Sequence, residues 1–337
     1  MAAPIPVSLL DLAHIGEQQS VAQAVSHSQR LAQAAEQHGF NRVWLAEHHG
    51  MRGVASAATA VMLAGIGQVT STIRLGAGGI MLPNHPPMMI AEQFGTLEAM
   101  FPGRIDLGLG RAPGTDQATA KALRRDVAGD ARRYPQDIAE LQGYLGSSEH
   151  DQEVIAVPGT NSHVPLWLLG SSLYSARLAA SLGLPFAFAS HFAPEALQDA
   201  ISLYRAEFTP SASLKEPYVM AGVMAVVADT HNEAAQRFTS VQQQFANLRR
   251  GVNAPLPSPV EDIRLALHEN EIRGVNQALR FAAVGTDTQV EETLSDFVAA
   301  TGVDELIVST PAHALSANIE TLAALGNMRT LFAAPSL

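Results

Sequence analysis

Short apolar runs alternate with longer amphipathic segments along most of the chain. Eight of the runs have the length and composition of β-strands, and they cover residues 7–10, 42–46, 73–81, 105–110, 165–169, 185–189, 218–227 and 305–308. Each run is followed by a segment whose apolar residues recur at helical spacing. Repeated strand–helix units of this kind predict a parallel sheet that is covered by helices.

The predicted strands are nearly continuous apolar runs, which is typical of strands that are buried on both faces. An open, doubly wound sheet would give the same alternation. Eight units without a linker between two halves favour closure of the sheet into a barrel. We therefore predict an α/β fold, a (β/α)8 TIM barrel, with residues 1–337 forming one domain.

Two segments interrupt the alternation and are predicted insertions. The first covers about 111–164 after the fourth strand and contains a Gly/Pro loop and a polar stretch at 147–153. The second covers about 228–284 after the seventh strand and contains three prolines between 255 and 259. Both follow the C-terminal end of a strand, where barrel enzymes build lids and pockets. We expect the second insertion to cover the substrate.

Composition and charge exclude several classes of protein. The 337 residues are 47% hydrophobic and 16% charged, as in folded globular proteins, and the formal charge of −11 argues against nucleic-acid or anionic-membrane partners. The absence of cysteine excludes disulfides, thiolate metal sites and a cysteine nucleophile. The first eight residues lack Lys and Arg, and no apolar run reaches about 18 residues. We expect a soluble, cytoplasmic protein.

The first candidate catalytic residues lie directly after the second predicted strand and are Glu47, His48 and His49. Neighbouring side chains on an extended segment point to opposite sides, so we expect only one of the two histidines to face the barrel mouth. Structural histidines and metal ligands are the alternatives, the latter with His85 and His191 as partners. A metal-dependent hydrolase needs ligands from several strand ends, and few are present. We therefore predict no metal.

Glycines occupy the end of the third strand, where Gly78 and Gly79 precede Asn84. A glycine inside a strand marks a bulge or a close approach to another group. One interpretation is a sharp turn into the helix predicted from Pro86. The other is that missing side chains allow a large, flat ligand to contact the backbone. Position along the chain leaves both interpretations open.

An anion site is suggested by two neighbouring strand ends. Arg111 follows the fourth strand, and its guanidinium group can bind a phosphate through two hydrogen bonds. Ser171 and Ser172 follow the fifth strand and precede a helix, whose first amides are unpaired and attract anions. A local salt bridge and an ordinary N-cap serine are the alternatives. Together, the arginine and this turn could bind one phosphate.

Four motifs, in order and at strand ends, resemble the luciferase-like family of flavin monooxygenases over nearly the whole chain. They lie at residues 44–49, 79–86, 102–111 and 168–172. The resemblance implies an enzyme that uses reduced FMN and O2 to oxygenate a small organic substrate, a flavin reductase that supplies the reduced FMN, and a homodimer. An F420-dependent dehydrogenase on the same barrel and a non-catalytic flavin-binding relative are the alternatives.

The resemblance also implies roles for individual residues. His48 matches the catalytic histidine of the family. The positions that match its flavin-binding residues are Gly78, Gly79, Arg111, Gly170, Ser171, Ser172, Tyr174 and Ser175. Four further residues are expected on the substrate side, namely Glu47, His49, Asn84 and His191. Gly110 stands where luciferase has a cysteine, so light emission is not expected. The natural substrate is not implied.

Overall fold

The computed structural model describes residues 4–112, 116–123, 127–147 and 153–333, without the side chains of 127–131. The first predicted insertion therefore lies partly outside the described residues. This applies to its Gly/Pro loop at 113–115 and to most of the polar stretch at 147–153. The remainder of that insertion contains two helices, which are named below.

Among the described residues, nine parallel strands form the sheet, and eight of them close into a barrel. In chain order they are β1 (Val7–Asp11), β2 (Arg42–Leu45), β3 (Arg74–Met81), β4 (Ile105–Gly110), β5 (Leu166–Gly170), β6 (Phe186–Phe188), β7 (Val219–Val227), β8 (Ala283–Gly285) and β9 (Glu305–Ser309). Neighbours in sequence pair from β1 to β7, and β9 joins β7 to β1. The closed barrel of eight parallel strands confirms the predicted α/β TIM-barrel fold.

Helices cover the outside of the barrel. They are α1 (Val21–Gln37), α2 (Thr59–Gly67), α3 (Pro87–Met100), α4 (Gln117–Ala122), α5 (Val127–Leu145), α6 (Leu173–Leu182), α7 (Leu197–Glu207), α8 (His231–Arg249), α9 (Glu269–Ala278), α10 (Asp287–Thr301) and α11 (Leu315–Asn327). Sequence signals set their ends: Ser20 and Gln23 form a capping box on α1, and Gly183 ends α6 in the left-handed conformation. None of the described helices combines the length and apolar character required to cross a bilayer.

The segment after β7 contains a strand that the sequence prediction missed. β7 has nine residues, and its first half pairs with β9 while Ala225, Val226 and Val227 pair with β8. The end of the predicted insertion at 284 therefore falls inside β8. Three residues are too few to show a period of two, so no pattern in the sequence indicated this strand.

A buried ionic network closes the N-terminal end of the barrel. Arg42 contacts Asp106 at 2.6 Å and Glu305 at 2.8 Å, and its guanidinium group lies 4.8 Å from the centre of the Trp167 ring. Burial lowers the pKa of Arg42. The carboxylates of Glu305 and Asp106 raise it by more, so the pKa of Arg42 lies above the usual value for arginine. All three charged residues lie at the start of a strand, so the barrel opens only towards the other end.

Candidate active site

A cavity of about 770 Å³ lies at the C-terminal ends of the barrel strands. Much of its wall is apolar and includes Leu10, Trp44, Val54, Met81, Leu169, Phe188, Met224, Val241, Phe245 and Ile307. Cavities of this size accommodate cofactors and drug-sized ligands. The position agrees with the rule that barrel enzymes place their active sites at this end.

Gly78 and Gly79 form one wall of the cavity with their backbone, and the peptide bond between them is cis. A Cβ atom on Gly78 would lie 2.9 Å from Leu10, and one on Gly79 would lie 2.7 Å from the Gly108 carbonyl oxygen. The Gly108 backbone therefore requires glycine at position 79, whereas a Cβ atom at position 78 would require the Leu10 side chain to shift. The strand continues through them to Met81 with a shift in register, so it does not turn sharply into α3 here.

A cation, hydroxyl groups and a helix N-terminus meet at one end of the cavity. The guanidinium group of Arg111 lies 4.3 Å from the centre of the Tyr174 ring. Within the described parts of the chain, Arg111 forms no ion pair with a carboxylate, which was the alternative left open by the sequence. Ser172 caps α6, and its hydroxyl lies 3.0 Å from that of Ser175. Ser171 and Gly170 also line the cavity here. This arrangement can hold a phosphate group.

Three cavity histidines are held uncharged by burial. Burial lowers the pKa of His14 to about 4 and that of His191 to about 4, and it also lowers the pKa of His48. The Nδ1 atoms of His48 and His191 are buried and lack a hydrogen-bond partner among the described residues. Neutral imidazoles of this kind can donate hydrogen bonds to a ligand or accept them from it.

We expect the unfolding free energy of the ligand-free protein to fall as the pH drops from about 6.5 to 4. In this range the unfolded chain binds protons at His14 and His191 that the folded protein excludes, so each histidine costs about 1–3 kcal/mol of stability. Urea unfolding across this pH range measures the effect. His191→Gln should flatten the decline, whereas the exposed control His231→Gln should not; equal slopes in all three proteins would contradict the assignment.

Glu47 lies behind the cavity wall and does not line it, contrary to its expected place on the substrate side. Its buried carboxylate accepts hydrogen bonds from His49 Nε2 at 2.7 Å, from His85 Nε2 at 2.8 Å and from the Met81 amide at 3.1 Å. Burial raises the pKa of Glu47, but the hydrogen bonds from the two histidines outweigh it and lower the pKa to about 2. Glu47 is therefore an ionised acceptor at neutral pH.

This cluster has the composition of a metal site, and its ligand atoms lie within 4.8 Å of one another. It does not include His48 or His191, so the four histidines considered for a metal-dependent hydrolase do not converge among the described residues. The carboxylate of Glu47 already accepts three hydrogen bonds, two of them on the same oxygen. The geometry is that of a hydrogen-bonded cluster.

The remaining predicted site residues differ in whether they line the cavity. His48 and His49 both line the cavity, although the sequence predicted that only one would, because β2 ends at Leu45 and the segment beyond it is not extended strand. Asn84 is buried in a short 3-10 helix outside the cavity lining. His191 lies on the cavity wall as predicted.

Sequence reasoning missed several side chains of the cavity wall. His14 follows β1, so the strand-end rule that identified His48 could have found it. Tyr134 of α5 recurs at helical spacing with the buried residues Ile138, Leu141 and Leu145, so the sequence could have indicated its inward face. Gln244 of α8 is polar, so the period of apolar residues does not mark it.

Comparisons with known proteins agree with this geometry. The profile of the family described as luciferase-like monooxygenase matches residues 5–305. A "Luciferase-like monooxygenase" of Escherichia coli K12 is 51% identical over 90% of this chain and 91% of its own length. The "N-acetyl-S-alkylcysteine monooxygenase" of Bacillus subtilis is 31% identical over 91% of this chain and 93% of its own. The crystal structure of apo-MsnO8 is 29% identical, with a TM-score of 0.84 over 96% of this chain and 98% of its own.

Proposed function

The chain belongs to the luciferase-like monooxygenase family, and from this premise we propose that it is the oxygenase of a two-component flavin monooxygenase. It would use reduced FMN and O2 to oxygenate a small organic substrate. One observation carries the proposal: Arg111, stacked on Tyr174, meets the N-terminus of α6 at the end of a cavity large enough for a cofactor and a substrate.

FMN would bind with its phosphate at this end of the cavity. Arg111 would supply the positive charge, and the Ser171 and Ser172 hydroxyls and the first amides of α6 would donate hydrogen bonds. The remaining phosphate-side positions are Gly170, Tyr174 and Ser175. The flat backbone of Gly78 and Gly79 would contact the ring. The flavin supplies the redox chemistry when bound, while the protein binds, orients and protects it.

His48 would act as a general base or hydrogen-bond donor beside the ring. Its buried, unpartnered Nδ1 supports this role, because such a nitrogen costs free energy unless a ligand satisfies it. His191 has the same feature and would contact the substrate. The apolar side chains around them would keep water out of the cavity during the reaction.

The substrate end would be formed by α8, which contributes Val241, Phe245 and Leu248 to the wall. These apolar side chains favour an apolar substrate portion. A thioether would fit such a wall, and an N-acetyl-S-alkylcysteine is the class named for one relative. F420 remains the alternative cofactor, and absorbance titrations with FMN and with F420 would separate the two.

We also propose a homodimer and a separate flavin reductase. Val61 of α2 and Met89 and Met100 of α3 are exposed large apolar side chains on neighbouring helices, which favours association. Sedimentation velocity would distinguish the dimer from a monomer. The flavin reductase is part of the proposed two-component mode, in which reduced FMN reaches the oxygenase from another protein.

Arg111→Ala should weaken the binding of FMN by about 10- to 100-fold and that of riboflavin by less than about threefold. A hydrogen bond to a charged group contributes about 1.5–3 kcal/mol. Riboflavin lacks the phosphate group that would accept this hydrogen bond, so its binding should change little. Fluorescence titration of both ligands measures the difference. Arg280→Ala, which removes an arginine outside the cavity lining, is the matched control. Equal weakening of both ligands would show that Arg111 does not bind the phosphate.

A further inference from the structure

Four histidines line the cavity, and His49 is distinguished among them by its carboxylate partner. His14, His48 and His191 are buried, and burial lowers the pKa of each ring. His49 instead donates a hydrogen bond from Nε2 to the Glu47 carboxylate at 2.7 Å. A buried carboxylate that accepts from a histidine holds the ring in one orientation and one tautomer.

Glu47 is built to hold this partner in place. Its side chain is 1% exposed, and its two oxygens accept three hydrogen bonds, from His49, His85 and the Met81 amide. Because the ionised carboxylate can only accept, each histidine must present Nε2 as a donor. The amide of Met81 belongs to the strand that carries Gly78 and Gly79, so Glu47 also connects the ends of β2 and β3.

His85 completes the cluster from the other side. Its side chain is 25% exposed, and it does not line the cavity among the described residues. Its ring centre lies 6.4 Å from that of His49, and both rings share the same oxygen of Glu47. The carboxylate thus lies between a histidine of the cavity and a histidine that solvent reaches from elsewhere.

We propose that His49 is a second catalytic residue, which takes up a proton beside the bound ligands and returns it, and that Glu47 and His85 are positioning residues for it. The inference rests on the proposed function. The step moves one proton from an oxygen of the bound substrate to an imidazole nitrogen of His49 and returns that proton to an oxygen of the product, and no electrons are transferred. Among the described residues, the charged and titratable groups beside His49 include Glu47, His48 and His85, and Asp116 lines the same cavity.

A metal ion in the cluster is the rival interpretation. Two ligands of one tetrahedral zinc ion, each about 2.0–2.1 Å from it, lie about 3.3 Å apart. The Nε2–Oε1 distances of 2.7 and 2.8 Å are those of charge-assisted hydrogen bonds instead. The hydrogen-bonded arrangement therefore needs no ion.

The first test uses the ligand-free protein with 15N-labelled histidine, in which NMR reports which ring nitrogens carry protons. Signals are assigned with single His→Gln variants. Glu47→Gln is expected to shift the ring signals of His49 and His85 and to leave those of His14 and His191 in place. Glu216→Gln, an exposed position, is the matched control and should shift none of the four. Unchanged His49 signals in Glu47→Gln would overturn the proposal.

The second test measures the oxidation of FMN-bound, reduced enzyme by O2 in stopped-flow absorbance, as a function of pH. Glu47→Gln should slow this step by about 10- to 100-fold and change its pH profile, with FMN affinity within about twofold. His85→Gln retains the Glu47 carboxylate and should slow the oxidation step less than Glu47→Gln does. It is the variant to measure if Glu47→Gln fails to fold. If the pH profiles of both variants ran parallel to that of the wild-type protein, the proposal would be overturned. One equivalent of zinc, iron or manganese bound to the purified protein would also overturn it.

The two tests separate this inference from the proposed function. If FMN does not bind at all, the proposed function fails, while the NMR experiment still shows whether Glu47 sets the protonation of His49. If FMN binds and reacts but the NMR signals of His49 do not respond to Glu47→Gln, only the present inference fails.

Discussion

Replacing His48 by alanine is expected to slow the oxygenation reaction by about 10²- to 10⁴-fold while FMN affinity stays within about threefold. The range is that of a removed general acid or base. FMN affinity should survive because the proposed phosphate contacts, Arg111 and the α6 N-terminus, lie on other strand ends. Stopped-flow absorbance measures the rate, and fluorescence titration measures the affinity.

Two further variants define what His48 contributes. His48→Gln retains a hydrogen-bond donor but cannot take up a proton at pH 7, so activity close to wild type would assign His48 to hydrogen bonding alone. His231→Ala removes an exposed histidine and should change neither quantity. Wild-type turnover in His48→Ala would exclude His48 from the mechanism. A parallel loss of FMN affinity would instead indicate a structural role.

Arg42→Met is expected to lower the free energy of unfolding by about 3–5 kcal/mol. The substitution removes the cation between Asp106 and Glu305, and a buried charge left without its partner typically costs this much. Glu305 would retain only neutral donors, the hydroxyls of Ser8 and Tyr218 and the amide of Asn41. Asp106 would retain Arg74 at 2.6 Å. Urea unfolding at pH 7 measures the change.

The matched control for this network is an exposed ion pair. Arg177 contacts Glu207 at 3.0 Å, but the two side chains are 62% and 44% exposed. Arg177→Met should therefore change the unfolding free energy by less than about 1 kcal/mol. If both arginine variants lost the same small amount, the network at the base of the barrel would not be a significant source of stability.

The barrel could be predicted from local patterns because burial on both faces makes each strand a continuous apolar run. The run at 218–227 predicted β7 within one residue at its start. The same reasoning missed β8, whose three residues pair with β7. Its pairing depends on where the preceding helices return the chain, and no local pattern encodes that.

The glycines at 78 and 79 illustrate a second limit. Their sequence context suggested either a turn or space for a flat ligand. In the structure, Cβ atoms at these positions would collide with Leu10 and with the backbone of Gly108. The backbone of the neighbouring strand therefore accounts for Gly79, while at position 78 only side chains lie close. Packing thus explains part of the exposed backbone wall of the cavity.

The strand–helix alternation, the barrel and the strand ends at which His48, Arg111 and Ser172 lie can all be predicted from the amino-acid sequence. These features follow from the period of hydrophobic residues, which is a local property of the chain. Which side chains meet depends on the folded arrangement of the elements. Glu47 and His85 are separated by 38 residues and share a hydrogen bond, and both His48 and His49 reach the cavity. Such contacts depend on distances of a few tenths of an ångström between separate elements, and residue spacing along the chain does not specify them.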